Sequence, residues 1–368
     1  MNLKKYLTDW LIILFVWQIV CFLFVYIGVS FLLFVSSVVK MEPANPQNGL
    51  FLYINSVMPY VESGLFAFLF GTLFYAIHLA TEHTIIRRLS FGRTIIIQSV
   101  LYLLAFLFVG IVLWFVFKMI FPIYLGYYQT YVKSLTDHTS LMIAFLAYFL
   151  LVIVLMNFFF GVRKKFGPGN LWSLFIGRYH NPIVVNKIFM FLDLKDSTAY
   201  AEKLGHIKYS RLIQSCFQDL NTIVSQHNAQ IYQYVGDEVV LMWDKSDQDA
   251  AKNCLTFFYS FRELLHTKSQ KYISKYGFLP EFKAGINDGV VTAAEVGNIK
   301  SEIAFHGDVL NTAARIQQMC NQYKKHLLAS ESFVDTMKGI HEFKKVLIGY
   351  IPLKGKSVPV NIYSIELV

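Results

Sequence analysis

Charge is scarce in this 368-residue chain: Asp, Glu, Lys and Arg make up 15%, while 55% of residues are apolar and 17% aromatic. Ordinary soluble domains carry about 25% charge, so the chain is too apolar for one water-soluble domain or for a disordered tail. Cysteine is scarce too. Cys21, Cys216, Cys254 and Cys320 lie far apart, with no CxxC pair and no Cys/His cluster of zinc spacing. They read as reduced core residues rather than a disulfide framework or a zinc site. Acidic residues are the rarer sign, 24 against 33 Lys+Arg, for a formal charge of +9. A basic balance fits either a nucleic-acid binder or a protein whose Lys and Arg face a membrane. Their distribution separates the two. Residues 1–186 hold 12 basic and 5 acidic residues, a net of +7, and residues 187–368 hold 21 and 19, a net of +2. The excess sits in the apolar half, which argues against DNA or RNA as a partner.

Four stretches, 10–39, 63–81, 94–117 and 141–162, contain no charged residue. A hydrocarbon core of about 30 Å needs roughly 20 helical residues, so each predicts a membrane span, and the lipid bilayer becomes a partner. The first run is too long for a signal peptide and lacks its small-residue cleavage site. Lys4 and Lys5, then Arg87, Arg88 and Arg93, then Arg163, Lys164 and Lys165 fall on alternate span ends, while the opposite loops hold Lys40, Lys118 and Lys133. The positive-inside rule then predicts a multi-pass protein of the cell membrane with both termini cytoplasmic. Glu62 suits an interfacial position and His78 the cytoplasmic end of its span; a sensing site built on the two is the alternative.

Gly167, Pro168 and Gly169 break the last helix. The domain reading is therefore a four-helix transmembrane domain over 1–165, a linker over 166–186 and a second domain over 187–368. There, short apolar strands alternate with amphipathic helices, an α+β or α/β pattern. KIFMFLDL (187–194) reads as a buried strand, and Asp196, Ser197 and Thr198 suit a helix N-cap. The helix pauses at Gly205. Strands over 229–235 and 238–243 join at Gly236-Asp237, a helix follows near 248–269, and strands near 281–287 and 289–297 come next. Asp308 is read as the cap of a helix with Val309, Ala313, Ile316 and Cys320 on its apolar face, and strands near 342–350 and 358–366 close the domain.

Asp193 ends one strand and Asp237 sits in a turn that can lie beside it. Two adjacent carboxylates with open positions are hard-oxygen ligands of the kind that magnesium ions with substrate phosphates require. Backbone N–H groups of residues 194–198, including Lys195, Asp196, Ser197 and Thr198, form an anion site at a helix start. Asn311 and Arg315, at i and i+4, share a polar helix face. Each feature alone has an ordinary structural reading: a turn carboxylate, a cap, a solvated face.

Together they resemble the catalytic domain of the class III nucleotidyl cyclases. The resemblance rests on FLDLKDST (191–198), YVGDEVV (234–240), AGINDGVVTAAEVG (284–297), HGDVLNTAAR (306–315) and LKGKSVPV (353–360). It spans about half the chain and leaves out the membrane half. It implies a ferredoxin-like βαββαβ core forming a head-to-tail homodimer with the active site at the interface. Asp193 and Asp237, with Leu194, would bind two Mg2+ ions, for which Mn2+ can substitute. Asn311 and Arg315 from the partner would orient the ribose and stabilise charge on the α-phosphate, and Lys354 or Lys356 would hold the terminal phosphates. The implied reaction converts a nucleoside triphosphate, with ATP favoured, to a 3′,5′-cyclic mononucleotide and pyrophosphate.

Base recognition departs from the family. Adenylyl members place a Lys four residues before the second metal Asp and an Asp or Thr seven residues before the Asn; guanylyl members use Glu and Cys. Those positions here are Gln233 and Ala304. Ala304 offers no hydrogen bond, and the Gln233 amide can face adenine or, flipped, guanine. Guanine or pyrimidine specificity and a catalytically inactive nucleotide-binding module are the alternatives. A diguanylate cyclase is the poorer reading of VGDEV (235–239), because Val235 replaces the first Gly of the GGDEF signature.

Overall fold

The computed structural model describes residues 3–38, 56–83, 89–120, 139–166, 176–297, 299, 301–352 and 359–368. The chain divides into two compact units, Asn2–Phe166 and Gly167–Val368.

The first unit contains helices α1 (Leu3–Val38), α2 (Met58–His83), α3 (Phe91–Ile120) and α4 (Thr139–Phe166). Within them Leu7–Phe31, Met58–Thr81, Gly92–Phe117 and Phe145–Val162 are long and apolar enough to cross a membrane. Their outward faces are apolar as well, with Phe15, Phe31, Ile111 and Leu151 exposed. Helices apolar on all sides belong in lipid rather than water. Aromatic rings fill the interior: Trp17 meets Phe70 edge-on at 4.6 Å and Tyr102 stacks on Phe74 at 3.9 Å. Polar links tie helices to one another. Asn157 donates to Ile95 O at 3.0 Å and to Ser99 Oγ at 3.2 Å, and Gln98 donates to Thr81 at 2.8 Å. His78 lies 3.4 Å from the Tyr102 hydroxyl near the end of α2. Arg87, Arg88, Lys40 and Lys133, which carry much of the orientation argument, fall outside the described residues, as do most of the loops.

The second unit runs β1 (Ile183–Leu194), α5 (Ser197–Val224), β2 (Gln230–Val235), β3 (Glu238–Asp244), α6 (Ala250–Thr267), α7 (Ser269–Tyr276) and β4 (Phe282–Val296). It continues through β5 (Glu302–His306), α8 (Asp308–Gln322), β6 (Leu327–Ser330), α9 (Glu331–Thr336), β7 (Phe343–Ile351) and β8 (Val360–Leu367). The sheet order is β2-β3-β1-β4-β6-β8-β7, with β5 paired to β4. Its first four strands and their helices form the ferredoxin-like βαββαβ unit, with β1 antiparallel to both β3 and β4. Alternation along β1 sends Ile188, Met190 and Leu192 into the core under α5 and α6, and Phe189 and Phe191 to the other face.

Several local expectations change. The strands expected near 281–287 and 289–297 are one continuous strand, because Gly289 is accommodated inside β4 rather than breaking it. β1 starts at Ile183, four residues before the expected strand and inside the stretch read as linker. Asp196 occupies the N-cap of α5 in a left-handed conformation (φ 56°), and its side chain makes no cap hydrogen bond. Its carbonyl accepts from Tyr200 N instead, at 3.1 Å. Gly307, not Asp308, is the N-cap of α8. Gly205 kinks α5 where the pause was expected.

Candidate active site

Asp193 is the penultimate residue of β1, the strand that packs between β3 and β4. Register places Glu238 opposite it on β3 and Lys283 opposite it on β4. Directly opposed residues share a face, so the three form one row across the sheet. Helix α8 packs over the β1 and β4 part of this row. It lies close on β4 because residue 285 is glycine: a Cβ there would sit 2.2 Å from the Gln317 backbone nitrogen. Gln317, buried at 3% exposure, donates its amide to Asp193 Oδ2 at 2.8 Å. Lys283 Nζ reaches the same oxygen at 3.3 Å.

The Gly236-Asp237 turn between β2 and β3 brings the second carboxylate alongside; Gly236 supplies the positive φ (61°) that the turn needs. Asp237 Oδ2 is buried without a hydrogen-bond partner. Electrostatics register the crowding. Burial raises the Asp193 carboxyl above its ordinary range, the Asp237 charge adds to this, and Lys283 and Gln317 oppose it. Burial, then Asp193 and Asp237, push Glu238 up to about 7. Burial and the Asp237 charge also push the Tyr209 hydroxyl to about 12. An excess of negative charge on half-buried carboxylates and an orphaned carboxylate oxygen are what a hard divalent cation would satisfy, so the residues fit the implied metal. Among the described residues no three His, Cys, Asp or Glu side chains form a cage of their own. A site there would need ligands from beyond these side chains, as one completed by substrate phosphates does.

The remaining candidates are spread around this centre. Leu194 is buried in the core under α5. Lys195 is engaged with Glu281 twice, its Nζ 3.2 Å from the carboxylate and its backbone N–H donating to the Glu281 carbonyl at 2.9 Å, so that N–H is not open to an anion as expected; Ser197 and Thr198 begin helix α5. Asn311 is exposed and Arg315 half-buried. Both lie off the α8 face that buries Thr312, Ala313, Ile316, Gln317 and Cys320. Gln233 is exposed on β2 and Ala304 half-buried on β5. Lys354 and Lys356 lie outside the described residues. Lys283, Gln317 and Glu238 were not legible beforehand, because only strand register and helix packing bring them to Asp193.

The family model for the adenylate and guanylate cyclase catalytic domain matches residues 184–366. Adenylate cyclase 2 of Rhizobium meliloti is 28% identical over 206 residues, 55% of this chain and 56% of that protein. The adenylate cyclase of Anabaena cylindrica is 24% identical over 48% of this chain and 36% of its own length. The chain thus spans about half or less of the curated relatives it matches. A solved bacterial light-regulated adenylyl cyclase shares the fold, with a TM-score of 0.50, 20% identity, and coverage of 63% of this chain and 67% of that one. With the cyclase model covering its β1-to-β8 unit, the chain belongs, through this domain, to the class III nucleotidyl cyclases.

Proposed function

We propose that the protein is a membrane-anchored nucleotidyl cyclase that converts ATP to 3′,5′-cyclic AMP and pyrophosphate at the interface of a head-to-tail homodimer. The observation that carries this reading is the pairing of Asp193 with the orphaned oxygen of Asp237. The relatives named adenylate cyclase support ATP as substrate. The four apolar helices anchor the chain in the cell membrane, and the Lys and Arg pattern puts both termini and the catalytic unit in the cytoplasm.

In the reaction the ribose 3′-oxygen attacks the α-phosphorus in line. A new P–O bond closes the ring, the bond to the β-phosphate oxygen breaks, pyrophosphate leaves, and the hydroxyl proton passes to water. Little covalent chemistry falls to the protein; positioning and charge stabilisation do most of the work. Asp193 and Asp237 would hold two Mg2+ ions, which supply Lewis acidity toward the hydroxyl and the leaving group. Lys283 and Gln317 anchor one oxygen of Asp193, so the carboxylate is held in a single orientation. The partner's α8 presents Asn311 to the ribose and Arg315 to the α-phosphate. The start of α5, with Ser197 and Thr198, faces the phosphates, joined by Lys354 or Lys356. Gln233 reads the base beside Ala304.

The experiment is complementation. Full-length Asp193→Ala and Arg315→Ala proteins are each assayed with ATP, GTP, CTP and UTP, identifying the cyclic product by mass, and are then co-assembled. Each alone is inactive, and the mixture regains a fraction of wild-type cyclic AMP formation, because a heterodimer rebuilds one intact site. No recovery on mixing removes the shared interface. A wild type that cyclises none of the four nucleotides removes the enzymatic reading in favour of an inactive nucleotide-binding module.

A further inference from the structure

Strand β2 contains a bulge. Ile231 pairs with Leu241 and Gln233 pairs with Val240, which leaves Tyr232 as the extra residue. Consecutive residues of a regular strand face opposite sides, whereas a bulge sets two of them against one partner. Val240 and Tyr232 belong to the same apolar cluster as Phe189, Met242 and Phe305. Tyr232 and Gln233 therefore share the sheet face that carries Asp193. The Tyr232 ring meets Phe305 edge-on at 5.2 Å and Phe189 at 6.4 Å. Its hydroxyl oxygen accepts from the Phe305 backbone N–H at 3.4 Å, a long bond. Phe305 is the residue after Ala304, so a polar group stands beside the position whose methyl side chain has none.

A phenol carries one proton and accepts through its oxygen. Conjugation keeps that proton near the ring plane, and an N–H on one side of the oxygen leaves it pointing to the other. Tyr232 is thus a donor toward whatever occupies that space. We infer that Tyr232 is a specificity-determining residue of the nucleotide site. Its hydroxyl donates to the ring nitrogen of the Watson–Crick edge, N1, which is an acceptor in adenine and carries a proton in guanine. This rests on the reading of Gln233 and Ala304 as the base-facing positions. It supplies the second polar contact that Ala304 lacks, and it narrows the choice that a reversible Gln233 amide leaves open.

Tyr232→Phe keeps the ring and its packing and removes only the hydroxyl. Full-length wild type and variant are titrated with non-cyclisable α,β-methylene ATP and GTP, read by displacement of a ribose-labelled fluorescent nucleotide, with thermal midpoints measured in parallel. The wild type prefers the ATP analogue, and Tyr232→Phe lowers the ATP-to-GTP preference by about tenfold, about 1.4 kcal/mol, at an unchanged midpoint. A preference ratio within about twofold of wild type overturns the inference, as does a wild-type preference for GTP. If the wild type binds neither nucleotide, the base-site reading itself fails; if it binds them and the ratio does not move, this inference fails alone.

Discussion

Replacing Gly285 with alanine tests whether close packing of α8 on β4 holds the candidate site together. The new Cβ would lie 2.2 Å from Gln317 N and 2.5 Å from Ala313 O, both backbone atoms with no rotamer to yield. To reach ordinary contact at 3.4 Å, the helix must retreat by about 1.2 Å (3.4 − 2.2). A retreat of that size along the bond stretches the 2.8 Å contact between Gln317 and Asp193 to about 4.0 Å, beyond hydrogen-bond range. Overpacking costs about 1–3 kcal/mol, and a lost hydrogen bond to a charged group about 1.5–3 kcal/mol. Taken together and not fully additive, they give about 3 kcal/mol. For a unit of this size that lowers Tm by about 6–12 °C. The assay is thermal unfolding of the full-length protein, alongside cyclic nucleotide formation below the variant's Tm. The variant is also expected to lose activity there, since α8 carries Asn311 and Arg315 as well as Gln317. A Tm lowered by less than about 2 °C together with wild-type activity would refute the reasoning.

Asp219 concerns pH. Burial pushes its carboxyl up, but hydrogen bonds from Lys268 (2.8 Å) and Tyr272 (2.8 Å), with the Lys271 charge, outweigh it and hold it below the ordinary value of 3.8. A depressed carboxylate stabilises the fold fully above its unfolded pKa, and that contribution is lost as pH falls through the folded one. Asp219→Asn is therefore expected to lose about 1–3 kcal/mol in denaturant titrations at pH 7, with Lys268 and Lys271 partly relieved by solvent, and the gap should close below about pH 3.8. A gap independent of pH would contradict this account. In the membrane unit, Asn157→Leu removes both links to α3 and should weaken the bundle by about 1 kcal/mol in a reversible unfolding assay in bicelles; no measurable change would mean that ring packing alone holds α4.

How much was legible depended on the range of the interaction involved. Membrane spans are local: about 20 apolar residues in a row must leave water whatever follows, so four helices were readable from the chain alone. The Gly205 kink and the Gly236-Asp237 turn were legible for the same reason, as backbone preferences carried by one or two residues. β4 misled because a glycine in a strand resembles a break, and only its pairing with β1 over Ile183–Leu194 carries the strand past Gly289. β5 and β6 are five and four residues long and depend on β4 and β8 for their hydrogen bonds, so no periodicity of their own announces them.

The candidate site divides in the same way. Asp193, Asp237, Asn311 and Arg315 could be singled out because each stands at a strand end, a turn or a helix face that neighbouring residues specify. What surrounds them could not. Lys283 lies 90 residues from Asp193 and Gln317 124 residues away, and only antiparallel register and the missing side chain at Gly285 bring both to one carboxylate oxygen. The Tyr232 bulge is equally tertiary, since β3 decides which residue of β2 is left unpaired. The sequence determined which groups are available for chemistry; tertiary structure decided which of them are pressed together in a desolvated place, and charge repulsion and orientation have consequences only there.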